Sequence, residues 1–279
     1  MELITLENQS MADLTIAFNE GFSDYAIPIN ATEEYLTNRW TGSRVDLAMS
    51  GGVMVFGKLV SIVIISIDEK DGRLTAYNAG TCTHPMYRRM GMVRQLFDFL
   101  LPKWRAKGVK VVELEVLQGN DAAIGAYRKI GFEVVRNLNC YELNLATLRT
   151  IANIEIQTVD EIDMLSNMSD WKMNPSWDYT NAFYQKRKKG LHSKIAILEG
   201  QRAGELIYSD TNNRLFYLFV YPDFRRKGIA QTLLASLKEE IDTIKIINID
   251  SKSDGLISFV QNMGGQTLIN QHEMRMDLR

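Results

Sequence analysis

Two stretches of the chain carry the same arrangement of residue types: "HPMYRRMGMVRQL" from His84 to Leu96 and "YPDFRRKGIAQTL" from Tyr221 to Leu233. In each, a strand-like run ends at a proline, passes through paired arginines and a glycine, and opens into an apolar-periodic segment that reads as an amphipathic helix. Such a helix start presents unpaired N–H groups and the positive end of the helix dipole, which together suit a phosphate-like anion. Glycine lets that anion approach the main chain without meeting a Cβ. Arg88 and Arg89, or Arg225 and Arg226, add charge and planar donors. A solvated turn ahead of a helix is the alternative for one isolated copy, and two copies in matched settings weaken it. Neither GxGxxG nor GxxxxGK[ST] occurs, so the phosphorylated ligand these residues ask for is held in neither of those ways.

The elements that position the first copy can be read outward from it. "ELITLENQS" looks like a strand, "MADLTIAFNEGF" like a helix capped by Ser10, and "TEEYLTNRW" from Thr32 like a second helix. Residues 52–83 alternate β-branched and apolar residues around the turn signals "GK" and "EKDG", which predicts antiparallel strands joined by short hairpins. After Arg89 a helix runs through "VRQLFDFLLPKWRAKG", where Pro102 is expected to end or kink it. Strand "VKVVELEVL", helix "NDAAIGAYRKIG" and strand "FEVVRNLNCYEL" complete the unit.

From about Leu148 the order restarts. Strand "IEIQTV", helix "DEIDMLSNM" and the aromatic-rich "DWKMNPSWDYTNAFYQKRKKG" lead into strands "KIAILEG", "RAGELIYSD" and "RLFYLFV"; then come helix "GIAQTLLASLKEEI", strand "IKIINID", helix "GLISFVQNMG" and a last strand. Pro85 and Pro222, like Gly91 and Gly228, are 137 residues apart, and Gly131 and Gly264 are 133 apart. A repeat of that length is a whole domain, since solenoid units are much shorter. Two domains also suit 279 residues.

Composition narrows the classes. Apolar residues make up 46% and charged residues 24%, as in ordinary soluble proteins, and a net charge of −2 gives no broad positive field for nucleic acid or an anionic membrane. The longest apolar run, "LVSIVIISI", is far short of a membrane helix, and "MELITLENQS" carries no leader pattern, so a cytoplasmic protein is expected. Cys82 and Cys140 lie far apart without ligand spacing, which predicts free buried thiols and no metal site. His84, His192 and His272 are isolated and read as surface or packing residues. The segment from Asp170 to Gly190 alternates aromatic and basic residues; a buried aromatic face with a solvated "KRKK" end is favoured over a nucleic-acid surface, and a wall of an acceptor cleft is a third reading.

The pattern [RQ]-x-x-G-x-[GA] after strand-Val-x-Pro, followed by N-x-x-A-x-x-x-Y-x-K-x-G-F, resembles the GCN5-related N-acetyltransferase (GNAT) family. The first half gives Arg88-Arg89-Met90-Gly91-Met92-Val93 and then "NDAAIGAYRKIGF" from Asn120 to Phe132, with Val93 standing where Gly or Ala is usual; the second half gives Arg225-Arg226-Lys227-Gly228-Ile229-Ala230. The resemblance implies an α+β fold of two tandem GNAT-like domains, 1–147 and 148–279, each a mostly antiparallel mixed sheet flanked by helices. It implies that the turn, from Arg88 and Arg89 through Met90, Gly91, Met92 and Val93 to Arg94, holds the pyrophosphate of acetyl-CoA largely by main-chain amides. The pantetheine arm would lie between two splayed strands, lined by Thr81, Cys82 and Thr83, with Asn120 nearby.

Acetyl transfer to an amine needs a neutral nucleophile, a stabilised oxyanion and a proton for the leaving thiolate. Tyr127 matches the family's acid. In the second half the matching position, four before Gly264, is Val260, and Ser253 stands where Asn120 does, so the first domain is expected to be catalytic and the second degenerate. Candidates for the base are Glu115 on "ELEVL" and Glu20 and Asp24 in "NEGFSDYAIP", with a water chain as the alternative. The implied function is transfer of acetyl from acetyl-CoA to a small-molecule amine, without metal, nucleic acid or membrane. The alternative is a non-catalytic acyl-CoA sensor or structural tandem module.

Overall fold

In a computed structural model of the chain, residues 1–160, 175–186 and 190–278 are described. The helix expected over "DEIDMLSNM" and much of the segment from Asp170 to Gly190 lie outside them. The fold is a mixed α/β arrangement, with mostly antiparallel sheets and flanking helices, divided into two compact units.

The first unit begins with β1 (Glu2–Thr5), α1 (Met11–Gly21) and α2 (Glu33–Ser43). Ser10 and Thr32 cap the two helices, accepting from the N–H groups of Asp13 and Tyr35. β2 (Gly51–Val55), β3 (Lys58–Lys70) and β4 (Arg73–Thr83) follow as antiparallel neighbours. Both of their two-residue turns, 56–57 and 71–72, have positive φ at each position, the type I′ geometry that matches strand twist. α3 (Met92–Ala106) crosses over to β5 (Val111–Leu117), which runs parallel to β4, and α4 (Asp121–Ile130) leads into β6 (Glu133–Asn144).

α3 does not stop at Pro102. The ring removes one helix bond, at a cost of about 3 kcal/mol, yet Phe97, Leu100 and Trp104 are fully buried along the same face. Trp104 Nε1 also donates to Met49 O at 2.9 Å. Burying three large side chains at about 1.5–3 kcal/mol each outweighs the lost bond.

The second unit holds β7 (Ile154–Val159), α5 (Asn181–Lys186), β8 (His192–Leu198), β9 (Gln201–Ser209), β10 (Arg214–Val220), α6 (Ile229–Ala235), β11 (Thr243–Asp250), α7 (Asp254–Asn262) and β12 (Gln266–Thr267); β13 (Gln271–Asp277) ends the chain. β10 and β11 are parallel and the pairs β7–β8, β8–β9 and β9–β10 antiparallel, as in the first unit. α6 is shorter than its apolar pattern suggests: Ser236 Oγ donates back to Leu233 O at 2.8 Å, and Lys194 Nζ donates to Ser236 O at 3.2 Å. Those bonds recruit carbonyls at the end of the helix. Trp177, Tyr179 and Phe183, from the aromatic-rich segment, are buried.

The last strands do not stay with the halves that encode them. The first unit takes residues 1–135 and 272–279, whereas the second takes 136–184 and 188–271. β13 therefore lies beside β5, and most of β6 pairs antiparallel with β11. Met274, Met276 and Leu278 join the first core with Phe97, Val112 and Phe132, while Tyr141 and Leu143 join the second with Leu206 and Leu233. A buried ion triad ties β13 into the first unit: Glu113 on β5 meets Lys70 Nζ at 2.6 Å and Arg275 Nη2 at 2.6 Å. Burial pushes the Glu113 carboxyl up, but the two cations outweigh it and leave it below its ordinary value. No helix among the described residues is long and apolar enough to cross a membrane.

Candidate active site

After Thr83 the chain makes a single 3-10 turn, Pro85–Tyr87, in which His84 Nδ1 accepts from the Met86 N–H at 3.3 Å. Arg89 and Gly91 then take left-handed backbone, φ 64° and 73°, and α3 begins. α1, α2 and α4 are each capped by a side chain, whereas α3 has none. Its first N–H groups, from Met92, Val93 and Arg94, lack intrahelical acceptors by the geometry of any helix start. A Cβ placed on Gly91 would come no closer than 3.9 Å to its nearest neighbour, Gln95 Nε2, so the space above the glycine is open. Met92 is buried in the first core and Val93 packs against it, so the valine's bulk is accommodated by the core. Met90 is 59% exposed, and Arg94 lies 3.8 Å from Asp98 one turn on. An open, uncapped helix start fits a diphosphate.

Arg88 is committed elsewhere. Its guanidinium donates to Thr83 O at 3.0 Å, to Gly21 O at 3.0 Å, and to both Asp24 carboxylate oxygens at 2.6 Å. It clasps the end of α1 to the end of β4. The hydrogen bond from Arg88 holds the Asp24 carboxyl below its usual range, which makes Asp24 a poor proton acceptor.

β4 and β5 stay in register only from Thr75↔Val111 to Asn78↔Leu114. Beyond that point β4 carries a bulge at Ala79, where Ile64 and Ile65 face Gly80 and Asn78. A bulge bends the strand and increases its twist, which parts it from its neighbour. At the mouth of the splay, Asn78 Nδ2 donates to Thr81 Oγ1 at 2.8 Å and to the Tyr127 hydroxyl at 3.3 Å. Tyr127 reaches there from α4, its ring edge-on to Phe97 and Phe132. Burial raises its pKa, so the phenol keeps its proton at neutral pH. Asn120 caps α4, accepting from the Ala123 N–H at 3.2 Å. Glu115, on β5, accepts a hydrogen bond from Tyr77 on β4.

The structure thus brings Thr81 and Tyr127 together, sets Glu115 beside Tyr77, and turns two predicted side chains away. Besides Arg88, Cys82 points its thiol at α1, 3.6 Å from Ala17 O, where burial raises its pKa. Both cysteines are free and buried. Asn78, which the sequence reading passed over, is the hub of the cleft. Its signal was an asparagine in the middle of a strand, a residue type depleted there.

The second unit repeats the backbone with different surroundings. Arg226 and Gly228 have φ 64° and 80°, and α6 starts without a side-chain cap. Arg225 Nε donates to Val220 O at 3.1 Å, as Arg88 Nε does to Thr83 O. Yet a Cβ on Gly228 would sit 1.9 Å from Ile151 Cδ1. The Ile151 N–H donates to Thr232 Oγ1 at 3.1 Å, and Gln231 Nε2 to Arg149 O at 3.1 Å, fixing the segment over the helix start. Val260, in the place of Tyr127, is fully buried.

A model of the acetyltransferase (GNAT) family matches residues 14–132, and a model of the acetyltransferase (GNAT) domain matches residues 177–264. An acetyltransferase of Pectobacterium atrosepticum is 36% identical over 81 residues, which are 29% of this chain and 55% of that protein, little more than half the relative's length. A tandem GNAT protein from the clavulanic acid biosynthesis pathway shares the fold with a TM-score of 0.76 at 12% identity, covering 99% of this chain and 98% of that one. A GCN5-related N-acetyltransferase from Sphaerobacter thermophilus gives 0.65 at 14% identity, with 97% and 94% covered. With a GNAT match in each half, and a fold shared from end to end with a tandem GNAT protein, this chain belongs to the GCN5-related N-acetyltransferase family as a tandem-domain member.

Proposed function

We propose that the chain is an N-acetyltransferase that moves acetyl from acetyl-CoA to the amine of a small-molecule acceptor, with the first unit as the catalytic one. The observation that carries this reading is an uncapped helix start, open above Gly91, at the end of the strand whose splay holds a protonated phenol. The diphosphate is held by the N–H groups from Arg89 to Arg94, and the pantetheine arm passes Thr81, Cys82 and Thr83 toward Asn120. The acceptor nitrogen attacks the thioester carbonyl, the carbon–sulfur bond breaks, and Tyr127 gives its proton to the departing thiolate. Glu115 takes the proton that the amine loses. Asn78 orients Tyr127 and, with Thr81, keeps the mouth of the splay polar.

Thiol release from acetyl-CoA across a panel of small amines tests the reading. Release with at least one amine is the expected result. Stabilisation by CoA, which follows RT ln(1 + [L]/Kd), without release across a broad panel would replace it with the acyl-CoA sensor.

A further inference from the structure

The second unit has a cleft of its own. β10 and β11 are paired only at Arg214↔Lys245; past that point β10 bulges at Phe216, β11 loses register between Ile246 and Ile249, and a cavity of about 100 Å³ lies between them. Phe216, Leu218, Ile246, Ile249, Leu256 and Phe259 supply apolar walls.

The polar side chains at this cavity are largely matched within the protein. Asn248 Nδ2 donates to Ser176 Oγ at 3.0 Å, and Asn248 Oδ1 accepts from Gln271 Nε2 at 2.7 Å. Asp250 accepts from Arg136 at 3.2 Å and from the Lys252 N–H at 2.9 Å. An anion here would lose its hydration and face the Asp250 carboxylate without gaining a counter-charge. Ser253 differs: it lines the cavity at the N-cap of α7, yet its side chain makes no capping bond. That leaves a hydroxyl to meet one acceptor.

We propose that this cleft binds a compact, uncharged molecule with an apolar body and a single carbonyl acceptor, and that the second unit takes no second CoA. The cavity carries the first half of the statement. The second half follows from Ile151 filling the space over Gly228, and it rests on reading the matching space over Gly91 as the diphosphate seat.

Acetophenone and benzoate, the same ring without and with a charge, are titrated into the full chain by calorimetry, and CoA is titrated separately. Acetophenone is expected to saturate one site per chain, benzoate to bind at least about tenfold more weakly, and CoA to bind once. Leu218→Trp and Leu256→Trp, which fill the cavity from β10 and from α7, should each weaken acetophenone by about tenfold or more and leave CoA binding, the far-UV circular dichroism and the melting transition close to the parent's, the last two showing that the second unit still folds. The proposal is overturned if acetophenone fails to saturate, if both tryptophan variants that still bind CoA leave its binding intact, if benzoate matches it, or if two CoA bind per chain. Failure of CoA to bind at all would sink the proposed function and leave the acetophenone result to decide the cleft.

Discussion

The helix starts at α3 and α6 share their backbone almost angle for angle, with φ 64° and 73° at Arg89 and Gly91 against 64° and 80° at Arg226 and Gly228. Their surroundings diverge. Nothing comes within 3.9 Å of a Cβ position on Gly91, whereas Ile151 lies over Gly228. The clefts diverge too, with a hydroxyl on α4 at Tyr127 and a buried isopropyl group on α7 at Val260. A short motif fixes main-chain shape because that shape is local; whether a ligand can use the shape depends on residues elsewhere in the chain.

Replacing Tyr127 by Phe gives the largest expected change in that comparison. Turnover should fall about 10²- to 10⁴-fold, the usual worth of a general acid, while CoA affinity holds; Val260→Ala should leave turnover unchanged. Steady-state kinetics beside a CoA titration checks both, and undiminished turnover in the Tyr127 variant removes the phenol from the mechanism.

The buried carboxylates of the two units come next. Glu113→Gln leaves Lys70 and Arg275 without their anion, and denaturant unfolding should register a loss of about 3–5 kcal/mol. Glu205→Gln should lose less, because its cation, Arg202, is 37% exposed. The sign with pH is set by Glu113's lowered pKa. The triad's contribution is complete above the ordinary carboxylate range and disappears as pH falls through the lowered value. Stability of the Glu113→Gln variant should therefore decline less steeply with acid than that of the parent.

Alanine at Gly91 or Gly228 should each lose about 1–2 kcal/mol from left-handed backbone. Gly228→Ala should lose more, having to displace Ile151. Only Gly91→Ala should weaken CoA, and equal weakening from both would erase the distinction between the two starts. The smallest effect is expected from Asp24→Asn, which loosens an exposed clasp; its small drop in melting temperature should shrink further in high salt.

What could be read from the sequence was local. The cap at Ser10, the hairpins signalled by "GK" and "EKDG", and the paired Arg-Arg-x-Gly starts are all written within four or five residues of where they act. Tyr127 stands out through the resemblance of the stretch from Asn120 to Phe132 to the family's motif. The rest required partners distant in sequence. Arg88 looked like a phosphate ligand until Asp24, 64 residues earlier, claimed it. Pro102 reads as an end or a kink of the helix, and the helix continues past it because the burial of Leu100 and Trp104 around it is a tertiary fact. Ile151 is an ordinary apolar residue in an unremarkable link, and only folding sets it over Gly228.

The position of β13 bears on how the molecule is made. A sheet that waits for Met274 and Met276 cannot be finished while the ribosome is still adding the residues before them, even though the strands from β1 to β5 emerged long before. The first unit closes with residues 272–279 and the second begins at Arg136, so a cut between the halves strips each of a strand. A deletion of β13 would wound the half that was synthesised first.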